Sequence, residues 1–131
     1  MIFVDTGAWF AANIPQDRDF AAAQAFLLAN DEPLVTTDYV VAELLTLFRA
    51  RGHRKRAVVV GRELLEGQAA LMVRIDEGDF AEAWRVHRTF EDKDWSFVDC
   101  ASYAVIKRLG IKKAFAFDEH FRQFGDIEVV P

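Results

Sequence analysis

The sequence predicts an α/β fold: a parallel sheet in the order 3-2-1-4-5, covered by helices on both faces to make three layers. Three observations predict it. Short bulky runs, from Ile2-Phe3-Val4 to Lys112–Phe117, alternate with longer stretches of helical periodicity. The first run is apolar without polar alternation, as a strand buried on both faces is. Two runs also deliver an acid at their ends, Asp5 and Asp118. Open parallel sheets bind ligands just beyond the carboxyl ends of their strands.

Taken in order, Ile2-Phe3-Val4 is the first strand, and Asp5 or Thr6 also suits the cap of a following helix. Asn13 to Arg18 contains Pro15 and reads as a turn. Asp19 to Asn30 places Phe20, Ala23, Phe26 and Leu27 at helical spacing, and Asp31-Glu32-Pro33 stops it. Leu34-Val35-Thr36 is the second strand. Thr37 or Asp38 caps a helix from Tyr39 to Arg51, ended by Gly52. A second helix, Lys55 to Gly67, completes a helical hairpin. Ala70 to Ile75 is the third strand. Asp76 caps a helix from Glu77 to Phe90, whose expected inward stripe is Phe80, Ala83 and Trp84, with His87 next on it. Ser96-Phe97-Val98-Asp99 fits a capping box in its Asp form and opens a helix that runs to Leu109 and stops at Gly110. Lys112 to Phe117 is the fourth strand, Asp118-Glu119-His120-Phe121 starts a short helix, and Ile127 to Val130 is an edge strand.

The 131 residues suit a single domain spanning residues 1–131, and 52% apolar residues fill its core. No apolar run approaches the ~18 residues of a membrane span. The N-terminus lacks the basic region of a signal peptide, and one cysteine, Cys100, forms no internal disulfide. A soluble, cytoplasmic protein is expected. The net charge of −5 excludes a protein that coats nucleic acid through a broad positive surface. Its cations nevertheless cluster. Arg49, Arg51, Arg54, Lys55, Arg56 and Arg62 form one group and Lys107, Arg108, Lys112 and Lys113 a second. Each is either a solvated helix face or a phosphate-tracking rim.

Four acids carry the chemistry. In the predicted order, strands one and four are neighbours, so Asp5 and Asp118 face each other across the crevice. Asp99 starts a helix on the same edge. Glu43 sits among Tyr39, Val40, Thr46 and Leu47 on a largely apolar helix ridge, where an unpartnered carboxylate is costly. An ion pair with arginine answers for Glu43 alone, and helix capping answers for Asp5 and Asp99 alone. Together the acids repel, and a hard divalent cation resolves the conflict; an all-oxygen site suits Mg²⁺ or Mn²⁺. Phosphodiester hydrolysis follows. No Ser-His-Asp arrangement, Walker A sequence or GxGxxG is present. His53, His87 and His120 have no second His or Cys at metal-ligand spacing and are read as packing residues.

Four pieces of the chain resemble PIN-domain ribonucleases, in particular the VapC toxins of toxin–antitoxin pairs: Val4-Asp5-Thr6, Val41-Ala42-Glu43-Leu44-Leu45, Asp94 to Ser102, and Phe117 to Phe121. They span the chain in the family's order. The resemblance implies a PIN-like fold and a Mg²⁺- or Mn²⁺-dependent endoribonuclease, with Asp5, Glu43, Asp99 and Asp118 as catalytic, metal-binding carboxylates. It places Thr6 and Ser96 as hydroxyls beside those acids. It also implies an RNA substrate (tRNA, rRNA or mRNA), products with 5′-phosphate and 3′-hydroxyl ends, a small cognate antitoxin and a homodimer. Ala116 departs from the Ser, Thr or Asn that many relatives carry two residues before the last acid. The alternative is a non-catalytic PIN-like module that binds RNA or protein, which predicts loss of at least one acid. A phosphohydrolase with Asp5 as covalent nucleophile would want a second acid at position 7, where Gly7 stands.

Overall fold

In the computed structural model, which describes all 131 residues, five strands form one parallel sheet. They are β1 (Ile2–Val4), β2 (Leu34–Thr37), β3 (Leu71–Val73), β4 (Lys113–Phe115) and β5 (Glu128–Val130), in the order β3-β2-β1-β4-β5. Order and direction are those expected. β1 is central, pairing Phe3 with Val35 on one side and Ala114 on the other. Successive residues of a strand face opposite sides of the sheet. Ile2, Phe3 and Val4 are all fully buried, so both faces are covered.

The connections are α1 (Thr6–Asn13), α2 (Phe20–Ala29), the hairpin of α3 (Asp38–Ala50) and α4 (Arg54–Leu65), α5 (Glu77–Thr89), α6 (Phe97–Leu109) and the single turn α7 (His120–Gln123). Thr37 is the cap of α3, its hydroxyl accepting from the Val40 amide at 3.1 Å. Asp38 instead braces the next layer: its carboxylate accepts from the Ile75 amide at 2.9 Å, tying the start of α3 to the end of β3. α3 and α4 pack closely at Gly61, where a Cβ would lie 3.0 Å from a Leu45 methyl. α6 ends as predicted at Gly110, whose φ of 66° is left-handed and suits glycine.

The stripe expected on α5 is corrected. Ala83 is buried, but Phe80 and Trp84 are 49% and 53% exposed; the inward residues are Asp79, Ala83 and Val86. The helix is turned because Asp79 is drawn inward by Arg108 of α6, which donates to both its oxygens at 2.7 and 2.9 Å. That guanidinium holds the Asp79 carboxyl below the usual carboxylate range. Such a pair offsets the cost of burying the charge. Small Ala83 then meets α6, and the aromatic residues are displaced outward. His87 is exposed with them, and packs at the rim against Trp84 and Phe97 rather than at the core edge.

One further assembly positions the site. Trp95, at the end of the charged loop before α6, is buried and donates its indole N–H to Gln123 of α7 at 3.0 Å. Phe121 of α7 is fully buried and stacks on Phe3 of β1. Removing a ring so placed costs about 3–5 kcal/mol. The start of α6, the end of β1 and α7 are thereby held as one body.

Candidate metal centre

The acids reach one edge of the sheet by different local means. β1 leaves the core at Val4, and the next residue, Asp5, donates its amide to the Phe115 carbonyl at 3.0 Å before α1 begins. Asp5 is therefore fixed between the two central strands, and it is buried. Asp99 is the third residue of α6. The expected capping box is present: the Ser96 hydroxyl accepts from the Asp99 amide at 3.0 Å, and the Asp99 carboxylate accepts from the Ser96 amide at 3.0 Å. Glu43, one turn into α3, is half-buried. Asp118 is exposed and lies three residues past Phe115, the last paired residue of β4; the Ala116 amide still donates to the Val130 carbonyl at 3.1 Å before the chain leaves the sheet.

Electrostatics places the four together. The Asp5 carboxyl is pushed up from 3.8 to about 7. Burial is the largest cause, followed by the charge of Asp99 and, more weakly, those of Glu43 and Asp118; the Thr6 amide acts against them. No cation acts on this carboxyl. No three of the chain's His, Cys, Asp and Glu side chains stand close enough, as placed, to chelate an ion. Asp5 and Asp99 are buried, whereas Glu43 and Asp118 are accessible to solvent, Asp118 being held by the backbone of the following turn.

The predicted hydroxyls behave differently. Ser96 belongs to the helix cap. Thr6 Oγ1 is buried beside Asp5 without a hydrogen-bond partner. The residue missed by sequence reasoning is His120. It is the first residue of α7, and its Nδ1 lies 2.8 Å from Asp99 Oδ2 and 3.3 Å from Asp118 Oδ1. Its own amide donates to Asp118 at 2.9 Å. It thus joins two of the acids instead of simply packing. Its position two residues after Asp118 was the available signal, but His/Cys spacing rules do not register it. His53 packs on Phe10, 6.0 Å between centroids. Cys100, next to Asp99, is buried and its thiol is pushed up to about 11 by burial and by that neighbour, which excludes a thiolate nucleophile.

A parallel sheet presenting a buried carboxylate at its switch point, surrounded by three more, is the architecture of a PIN domain. The chain belongs to the PIN-domain family, whose model matches residues 2–127. It is 33% identical over 132 residues to the 23S rRNA-specific endonuclease VapC20 of Mycobacterium tuberculosis, covering 100% of this chain and 99% of that protein. The crystal structure of that VapC20, a sarcin–ricin loop cleaving toxin, superposes with a TM-score of 0.93 at 28% identity, and all of both chains is covered. The structure of FitAcB from Neisseria gonorrhoeae shares the fold, with a TM-score of 0.69 at 20% identity over 100% of this chain and 97% of that one.

Proposed function

We propose that this chain is a divalent-metal-dependent endoribonuclease acting as the toxin of a toxin–antitoxin pair. The convergence of Asp99, Glu43 and Asp118 on buried Asp5 carries the reading. Similarity over the whole chain to an rRNA endonuclease supports it. A non-catalytic module has no use for such a cluster, which costs stability.

The residues fit Mg²⁺ or Mn²⁺. The donors are all oxygen, and Thr6 Oγ1, next to Asp5, is an orphaned buried acceptor. Asp5, Glu43, Asp99 and Asp118 would hold the ion. When bound it supplies charge neutralisation at the phosphoryl group and a lowered water pKa. The chain's own part is orientation. The Ser96 amide and His120 Nδ1 both engage Asp99 Oδ2, leaving its other oxygen without a hydrogen bond. Asp5, with its carboxyl at about 7, retains much of its proton at neutral pH and would have to give it up to hold an ion. Loading therefore releases protons and weakens below pH 7.

The reading includes a cytoplasmic location, a homodimer and a small antitoxin. Exposed Phe80 and Trp84, with Phe97 behind Phe80 at 5.0 Å, give a second copy an aromatic face. The apolar groove between α3 and α4, floored by Leu45, Ala57, Val58 and Leu65, suits a protein segment.

The test is incubation of the purified chain with 23S rRNA carrying the sarcin–ricin loop, in Mg²⁺, Mn²⁺ or EDTA. Discrete fragments that vanish in EDTA and with Asp5→Asn are expected. Fragments unaffected by both would refute the assignment of the centre.

A further inference from the structure

We infer that a basic cleft running from the acids to the α3–α4 turn is the track for the phosphates of RNA flanking the cut. The inference rests on the ribonuclease reading above. Two clefts meet end to end along the same pair of loops. The first, the acidic end of the path, holds Asp118, Glu119 and His120 together with Arg51, Phe10 and the loop residues Asp17 to Asp19. The second continues along Asn13 to Gln16 on one wall and His53, Arg54, Lys55 and Arg56 on the other. Residues 13–19 and 51–56 thus form the two banks of one path that begins at the acids.

The charge along this path is free. Arg51, Arg54, Lys55 and Arg56 are exposed, and none forms an ion pair. Arg18, on the opposite bank, is held only loosely by Asp19 at 3.6 Å. Three of the four members of the chain's other basic group are spent structurally, Lys107 pairing with Glu82, Arg108 with Asp79 and Lys113 with Glu32, while Lys112 is unpaired. That group also lies at the end of α6 and start of β4, the sheet edge away from the acids. In a chain of net charge −5, four of the ten lysines and arginines that form no ion pair stand along this one path.

Two details argue that the concentration serves a ligand. Arg54, Lys55 and Arg56 fill the first turn of α4, which contains no acid. Cations there oppose the helix dipole, so their placement costs the helix stability. Arg51 is fixed at the junction of the two clefts, its guanidinium 5.8 Å from the centroid of the Phe10 ring. The occupant is polyanionic rather than apolar. Three of the ten residues that line the second cleft, Ile14, Pro15 and Val58, are apolar, and four, His53, Arg54, Lys55 and Arg56, are basic in type. Spaced cations with few apolar contacts bind a phosphate backbone without reading bases.

The experiment compares Arg54→Gln/Lys55→Gln/Arg56→Gln with a control of equal charge change outside both clefts, Arg74→Gln/Arg88→Gln/Lys112→Gln. Binding of a labelled sarcin–ricin hairpin is measured in EDTA over a salt series, and wild-type cleavage of 23S rRNA is measured separately. The track variant is expected to lose about two to three from the slope of log K against log salt, roughly a hundredfold in affinity at 0.1 M salt. The control keeps the wild-type slope. Arg56→Gln alone should lose about one third of the effect, which separates lost contacts from a damaged helix. An unchanged slope in the track variant, with wild-type cleavage intact, overturns the track and leaves the ribonuclease reading standing. Unchanged RNA binding with lost binding of the cognate antitoxin gives the cleft to a protein and also overturns it. Absence of wild-type binding and cleavage overturns the ribonuclease reading and the track with it.

Discussion

Replacing Asp5 with Asn should make the protein inactive and, at alkaline pH, more stable. The Asp5 carboxyl stands at about 7 in the fold and at the ordinary 3.8 when exposed. Because the folded value is the higher one, the native state binds the proton more tightly than the unfolded chain. Stability is unaffected below pH 3.8, falls as pH rises from there to about 7, and remains reduced above it. A gap of about three units corresponds to about 4 kcal/mol of penalty. Asn occupies the same space without charge, but burying its amide costs about 1–2 kcal/mol. A net gain of about 2 kcal/mol remains, or ~7 °C in Tm for a chain of this length. Thermal unfolding of both proteins in EDTA at pH 8 and pH 4 tests this. The variant should melt higher at pH 8 and a few degrees lower at pH 4, where the wild type carries little charge penalty and the amide's cost of about 1 kcal/mol remains. A variant that melts lower at pH 8, or a gain independent of pH, would refute the electrostatic account. Adding Mn²⁺ at pH 8 should reverse the order: at a hundred times its Kd a ligand stabilises by about 2.7 kcal/mol, and only the wild type should benefit fully.

Other outcomes follow from the same geometry. His120→Ala should weaken Mn²⁺ binding in calorimetry about 10-fold or more by freeing Asp99 to rotate, the usual scale for a group behind a ligand. His120→Asn, which retains a donor, should restore part of it; equal affinity in all three proteins would deny His120 a positioning role. Phe80→Glu/Trp84→Glu should convert a dimer to monomer in light scattering without lowering Tm, since both side chains are about half exposed. A dimer that survives this change uses another face.

Much of this architecture was legible because it is locally encoded. The Ser96–Asp99 box closes within three residues, and Asp5 follows an apolar strand directly, so pattern alone located both. The sheet order followed from alternation of strands and helices. What escaped was set by contacts distant in sequence. Asp79 takes an inward position on α5 through Arg108, 29 residues away. Neither residue signals the other, so a stripe of aromatic side chains was the better local guess and pointed outward. His120 reaches Asp99 across 21 residues, through a turn whose direction depends on Phe121 packing beneath β1. The fourth strand also ends sooner than its apolar run, since pairing with β5 stops at Phe115 and Val130.

The double duty of Asp99 makes the routes by which the chain can lose activity unequal. Its carboxylate closes the first turn of α6 and anchors His120, so its removal forfeits about 1 kcal/mol of capping along with the acid. Asp118 is exposed and Asp5 weighs against the fold, so either can be lost while the protein persists intact. Silenced descendants that still accumulate, and still sequester whatever restrains the active form, should carry changes at positions 5 and 118. Those altered at position 99 should be depleted by proteolysis as well as inert.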